Sequence, residues 1–334
     1  MMTELVNKTT VGMGDRSPRA TARRMLSQSS MVIVFLLLLV GMEILQRGFL
    51  TVDNVTLIFL QAAVRAILAI GMMMVIISGN IDISVGTVMS LSMVVMGVAV
   101  IDMGLPLYLG FAIAIGTGLL VGIVNGLLVA YARLPAFIVT LGMLGIAQGL
   151  ALTISDGRSL YGFPESFEVY GGGVVWGVPV PVWIMLGFAA MMLFVFHQTR
   201  LGRYTFTLGG NEEATRRAGI DVRKVKLGIF AVSGATAGLA SIILAARINS
   251  AHPGVGFGYE LDAIAAVVIG GGSLMGGRGS VWGAVIGALI MSQIRFALNI
   301  LGMSPFIQQI VVGVILIAAV WLDTVRTRKM RRAA

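Results

Sequence analysis

The side chains able to do chemistry are few, and their spacing excludes most reactions. Only His197 and His252 supply imidazole, and they lie far apart in the chain. Cysteine is absent, so thiol chemistry and Cys-based metal sites are excluded. The chain holds no His-Glu-x-x-His, no assembled Ser-His-acid set and no close carboxylate pair inside an apolar run. No catalytic residue, metal or cofactor is called for. Gly272 and Gly277 have the outline of a phosphate loop, but Arg278 and Gly279 replace the required Lys and Ser/Thr. That segment also sits between two apolar runs rather than after a strand, so nucleotide binding is rejected in favour of a tight turn.

What remains is isolated polarity within apolar surroundings. Asp82 and Ser84 stand in Gly79-Asn80-Ile81-Asp82-Ile83-Ser84-Val85-Gly86, a connector too short for a surface domain. Asp82 can cap the helix that follows, its oxygens accepting backbone N–H groups. It can equally face a hydrated pathway, because broken backbone at membrane depth survives only where it lines a cavity or is buried in protein. Glu260 and Asp262, in Gly258-Tyr259-Glu260-Leu261-Asp262, pose the same choice between capping residues and the outer mouth of a path. Arg65 lies inside an apolar run and is a functional candidate, an internal ion pair or a water-facing charge; Arg295 is placed to snorkel. Asn125, Thr140, Gln148 and Gln293 are either pathway residues or interhelical hydrogen bonds.

The elements that must position these residues are membrane helices. Hydrophobic residues make up 57% of the chain and charged ones 12%, against about 25% charged in soluble domains. Apolar runs recur at the length of roughly 20 residues that crosses ~30 Å of hydrocarbon. The expected fold is all-α and polytopic, with about ten transmembrane helices at 29–45, 55–78, 84–101, 105–131, 135–154, 181–197, 227–246, 262–272, 281–299 and 306–322. The basic start followed by 31–40 resembles a signal peptide, but no small-residue cleavage site follows.

The net charge of +9 invites a nucleic-acid reading, which the positions of the charges oppose. Basic residues gather in the N-terminal tail, at Arg133, in a long connector, at Arg278 and in the C-terminal tail, with Arg47, Arg158 and Arg247 left on the other side. Under the positive-inside rule both termini are cytoplasmic and the helix number is even. Spans two to five and seven to ten then run in opposite senses, as in an inverted repeat. Gly118, Gly122 and Gly126, Gly145 with Gly149, and Gly283 with Gly287 form small-residue faces suited to close helix packing. The expected organisation is a basic tail at 1–28, a membrane domain at 29–325 and a second basic tail at 326–334.

The connector at 198–226 carries complete helix punctuation. Asn211 is a good N-cap, Glu212 and Glu213 follow, Arg216 and Arg217 close the turn, and Gly219 can stop it. A short capped helix outside the bilayer reads as a docking element.

Taken together, the chain resembles the permease subunits of bacterial ATP-binding-cassette sugar importers of the ribose/arabinose/galactose type. The likeness rests on 78–86, on Thr199-Arg200-Leu201-Gly202-Arg203-Tyr204, on Gly209-Gly210-Asn211-Glu212-Glu213-Ala214, and on Gly258 through Gly279. It extends from about residue 30 to 325. Asn80, Ile83 and Gly272 stand where the family usually has Gly, Leu and Thr.

The resemblance implies a multi-pass subunit of the bacterial inner membrane, not an enzyme. It implies pairing with a second permease subunit, either an identical copy or a close paralogue. It further implies a cytoplasmic ATP-binding subunit docked near Arg203, Gly210, Asn211, Glu213 and Arg217, and a periplasmic sugar-binding protein, for which Arg158 and Arg247 are the candidate contacts. The solute path would be bordered by Asp82, Ser84, Asn125, Thr140, Glu260 and Asp262, with membrane lipid around it and no nucleic acid. A nucleoside, polyol or sugar-like signal could replace the sugar. An ion-coupled secondary transporter is the competing class, and the missing catalytic set argues against a membrane-embedded enzyme.

Overall fold

The computed structural model describes residues 18–333, with side-chain surroundings for 31–325. Most of the tail expected at 1–28 lies outside the described residues. The remainder begins α1, Pro18–Leu45. There follow α2 (Val52–Ile77), α3 (Val85–Gly97, prolonged by a π-helical turn, Val98–Asp102), α4 (Leu107–Ala130) and α5 (Ala136–Ile154). A compact excursion holds a 3-10 turn, the short α6 (Val169–Gly172) and a hairpin of β1 (Val174–Val175) with β2 (Val178–Pro179). The chain continues through α7 (Val180–Gln198), α8 (Arg200–Gly210), α9 (Glu212–Arg217), α10 (Val222–Ile248), α11 (Tyr259–Ile269), α12 (Val281–Ile300) and α13 (Pro305–Ala333).

Among the described residues, eight helices are long and apolar enough to cross a membrane: α2, α3 with its π turn, α4, α5, α7, α10, α12 and the first part of α13. This makes the protein an all-α polytopic membrane protein. All ten expected segments are helical, and one of them, α11, falls short of a full span. The described apolar part of α1 is Met31–Leu45, and α11, with 11 residues, covers only ~16 Å at 1.5 Å per residue. The expected crossing at 262–272 is thus a half-helix. Glycine sets both its ends: Gly258 caps it at φ 95°, and Gly271 turns the chain away at φ 80°.

The centre of the bundle is a crossed pair of long helices. α2, buried continuously from Ala62 to Ile77, packs on α11 and α12; α10 packs on α3 and α4. Each long helix therefore embraces the two helices that follow the other. The outer helices leave apolar side chains such as Phe137, Ile146, Phe194, Ile310 and Ile317 exposed, as lipid-facing surfaces do. Met31, early in α1, lies against Gly271, and Asp323 in α13 accepts from Ser273 Oγ at 3.2 Å. Both ends of the described membrane region thus meet the same end of the bundle, the end that carries α8 and α9.

Two glycine stripes close these contacts. A Cβ on Gly118 would fall on the Gly234 carbonyl, and one on Gly122 on the Phe230 carbonyl, so α4 lies backbone to backbone on α10. Gly283 and Gly287 do the same against Gly270 and Ala266. The third stripe, Gly145 and Gly149 on α5, has nothing within 4 Å among the described residues.

This contrast yields a test. Gly118→Val should cost at least the ~1–3 kcal/mol typical of overpacking and remove the monodisperse peak on gel filtration, whereas Gly145→Ala should leave thermal unfolding in detergent unchanged. Equal behaviour of the two variants would refute the packing assigned to α4 and α10.

Candidate functional site

α3 and the half-helix α11 begin at the same place. From Ala251 the chain runs back along α3: the His252 N–H points to Met93 Sδ at 3.4 Å, and the Gly256 N–H donates to Ser90 Oγ at 2.8 Å. Glu260, at the head of α11, then lies against Gly86, at the head of α3, where any Cβ would strike its carboxylate. Two helix N-termini, each carrying unmet N–H groups and partial positive charge, converge inside the bundle. The Glu260 carboxylate is buried there and accepts the Gly258 N–H at 3.0 and 3.1 Å.

On the connector side of this junction Asp82 closes a hydrogen-bonded clasp. Its Oδ1 accepts the Ser84 N–H at 3.0 Å and the Ser84 hydroxyl at 2.6 Å; its Oδ2 accepts the Ser233 hydroxyl, from α10, at 2.9 Å. Asn125, from α4, donates to Ser84 Oγ at 3.0 Å. Thr140 donates to the Ala136 carbonyl at 2.9 Å and reaches the Ile81 carbonyl at 3.3 Å. Asp82, Ser84, Asn125 and Thr140 are thus brought together, and all four are buried. Asp82 serves the backbone ahead of α3 as an Asx-type turn, and no cation pairs with it among the described residues.

Beyond the junction Asp262 closes an ionic clasp. Its Oδ2 meets Arg65 Nε at 2.9 Å, and its Oδ1 meets Arg295 at 2.7 and 3.1 Å, joining α11 to α2 and α12. Arg65 also donates to Ser292 Oγ at 3.3 Å and lies 5.4 Å from the Tyr259 ring centre. Sequence reasoning singled out Arg65 as one of three possibilities; the internal ion pair is what forms. It missed Ser233, a hydroxyl in an otherwise apolar helix, and the inward turn of Arg295.

The connector holds a second candidate site. α9 is capped as expected, with Asn211 Oδ1 accepting the Ala214 N–H at 2.9 Å. Arg217 pairs with Glu213 at 3.2 Å, and Lys226 ties α9 to α10 through Glu212 at 2.9 Å. Arg203, Gly210, Asn211, Glu213 and Arg217 are all exposed. α8, not foreseen as a helix, is capped by Thr199, which accepts the Gly202 N–H at 3.2 Å. Its Gly209 presses on the carbonyl of Ile77, the last residue of α2, and the same carbonyl accepts the Gly277 N–H at 2.8 Å. Asp221 caps α10 by accepting the N–H groups of Arg223 and Lys224 at 3.1 and 3.4 Å. Its slight burial works to raise its pKa, but those N–H groups and the Lys224 ammonium outweigh it and hold the carboxyl below its ordinary value.

At the opposite end, Leu160 and Ala251 exchange backbone hydrogen bonds of 3.0 and 2.9 Å, which brings the loop after α5 beside the end of α10. Arg158 is exposed there, while Arg247 is half-buried beneath Gly171 of α6.

The family model described as "Branched-chain amino acid transport system / permease component" matches residues 54–320. The chain is 40% identical over 304 residues to the ribose import permease protein RbsC of Haemophilus influenzae, covering 90% of this chain and 94% of that protein. It is 41% identical over 302 residues to RbsC of Escherichia coli K12, covering 89% and 94%. The L-arabinose transport system permease protein AraH of Escherichia coli K12 is 36% identical over 322 residues, covering 96% and 98%. No solved structure matches the chain.

Removing one partner of a buried ion pair costs about 3–5 kcal/mol. Asp262→Asn should therefore lower the thermal midpoint in detergent sharply, and adding Arg65→Met to it should recover part of the loss. Additive losses in this double-mutant cycle would show that the pair is not coupled.

Proposed function

The chain belongs to the family described as branched-chain amino acid transport system, permease component, and we propose that it is the membrane-spanning subunit of an ATP-driven importer of a monosaccharide. The observation that carries this reading is near full-length identity of 36–41% to permeases named for ribose and L-arabinose. The subunit resides in the bacterial inner membrane with α8, α9 and both termini on the cytoplasmic face. The positive-inside distribution and the meeting of α1, α13 and the connector at one end support that orientation. α2–α5 and α10–α13 then form an inverted repeat, and the crossed packing of α2 and α10 supports it.

ATP is hydrolysed by a separate subunit that grips α9 and its exposed Arg203, Gly210, Asn211, Glu213 and Arg217. Movement of α9 passes through α8 and Gly209 to the end of α2, and from there to the glycine turn at 270–280. The path for the sugar runs beside the junction of α3 and α11. Asp82, Ser84, Asn125, Thr140, Glu260 and Asp262 shape its wall by holding the broken segments. A periplasmic binding protein delivers the sugar at the opposite end, where Arg158 and Arg247 meet acidic residues of that partner. A second permease subunit, identical or closely related, completes the membrane portion. A path that bound sugar tightly would trap it, so selectivity resides in the binding protein.

Uptake of labelled ribose by cells expressing the full system should stop on ATP depletion and persist after an ionophore; the reverse pattern would make the protein an ion-coupled carrier. Reversing Glu213 and Arg217 to Lys and Glu should lower uptake by about tenfold or more, the scale of one lost charge contact in a coupled interface. The protein should remain in the membrane. Asp82→Asn should reduce uptake at normal expression, and unchanged uptake would remove Asp82 from the mechanism.

A further inference from the structure

A cavity of about 550 Å³ opens at the connector end between α9, the turn joining α4 to α5, and the start of α10. Its charged lining is Arg133, Arg216, Arg223 and Lys226 against Glu212 and Asp221. The acids are already engaged: Glu212 takes Lys226 at 2.9 Å and Arg216 at 3.6 Å, and Asp221 caps α10 with Lys224 at 3.5 Å. Arg133 and Arg223 have no carboxylate partner among the described residues; Arg223 lies 5.9 Å from the Tyr131 ring centre. Two guanidiniums without counter-charge, facing one concave space, make a site for an oxyanion that can take forked hydrogen bonds. The rim has a second character. Leu134 lines the cavity, and Phe137, Ile138 and Leu141 continue from it as an exposed apolar flank of α5.

We propose that this cavity binds a phosphate-bearing anion, and that its source is an acidic phospholipid, with headgroup between Arg133 and Arg223 and acyl chains along the exposed flank of α5. The cytoplasmic leaflet concentrates such lipids, and basic pockets between membrane helices suit their headgroups. Asn80 also lines the cavity, so the bound group touches both the docking helix and the strand of chain leading to Asp82. The inference goes beyond the transport reading; it rests on the cytoplasmic orientation proposed there for this end, and its test reads binding without transport.

The full chain, purified in neutral detergent and stripped of lipid, is titrated with short-chain phosphatidylglycerol, short-chain phosphatidylcholine and inorganic phosphate, with binding followed by native mass spectrometry. Phosphatidylglycerol should bind at least tenfold more tightly than phosphatidylcholine. The variant combining Arg133→Asn with Arg223→Gln should lose that preference while keeping the wild-type thermal midpoint. Asn suits position 133, whose φ of 58° is left-handed. Inorganic phosphate that binds as tightly as the lipid upholds the phosphate site and assigns it to a soluble source; phosphate that fails to displace the lipid assigns it to the membrane. Equal binding of the two lipids, or a variant that still prefers phosphatidylglycerol, overturns the proposal. So does a variant that loses capture of a co-expressed ATP-binding subunit while no phosphate compound binds the wild type, which would give the cavity to a protein partner.

Discussion

α3 and α11 both begin inside the bundle, among buried residues. Every N–H, carbonyl and charge at such ends must be met by protein or line a hydrated path. The heads of α3 and α11 meet each other, with Glu260 between them and Gly86 leaving room for it. The carboxylates on either side of the meeting point, Asp82 and Asp262, then reach across to α10 and α2 respectively. The crossed packing of α2 and α10 serves the same demand, since α2 brings Arg65 to Asp262 and α10 brings Ser233 to Asp82.

The two clasps solve one problem with different chemistry. Asp82 is held by hydroxyls and a backbone N–H, Asp262 by two guanidiniums. A hydroxyl that rotates away from a carboxylate gives up about 1.5–3 kcal/mol, whereas breaking a buried ion pair costs about 3–5 kcal/mol. The half of the bundle nearest α8 and α9 is therefore the softer one, and it is also where the connector presses on α2.

Much of the architecture is legible in the sequence because hydrocarbon imposes a length rule on it. The apolar runs, the glycine faces of α4 and α12, the capped α9 and the break around Asp82 all follow from local residue types. The half-helix nature of α11 does not. Three glycines follow Ile269, and which of them ends the helix shows only in the packing of Gly270 on Gly283 and the left-handed turn at Gly271. Nor can the partners of buried charges be read from spacing, because Arg65 and Asp262 stand 197 residues apart. Ser233 carries no signal at all: a hydroxyl in an apolar helix more often bonds its own preceding turn.

The contact between α8 and α2 has a mechanical corollary. At Gly209 bare main chain rests on the Ile77 carbonyl, with no side chain between them to bend or change rotamer. Such a joint has little slack, so a displacement of a few tenths of an ångström is handed on rather than absorbed. Even a methyl group at this position would wedge α8 away from the end of α2.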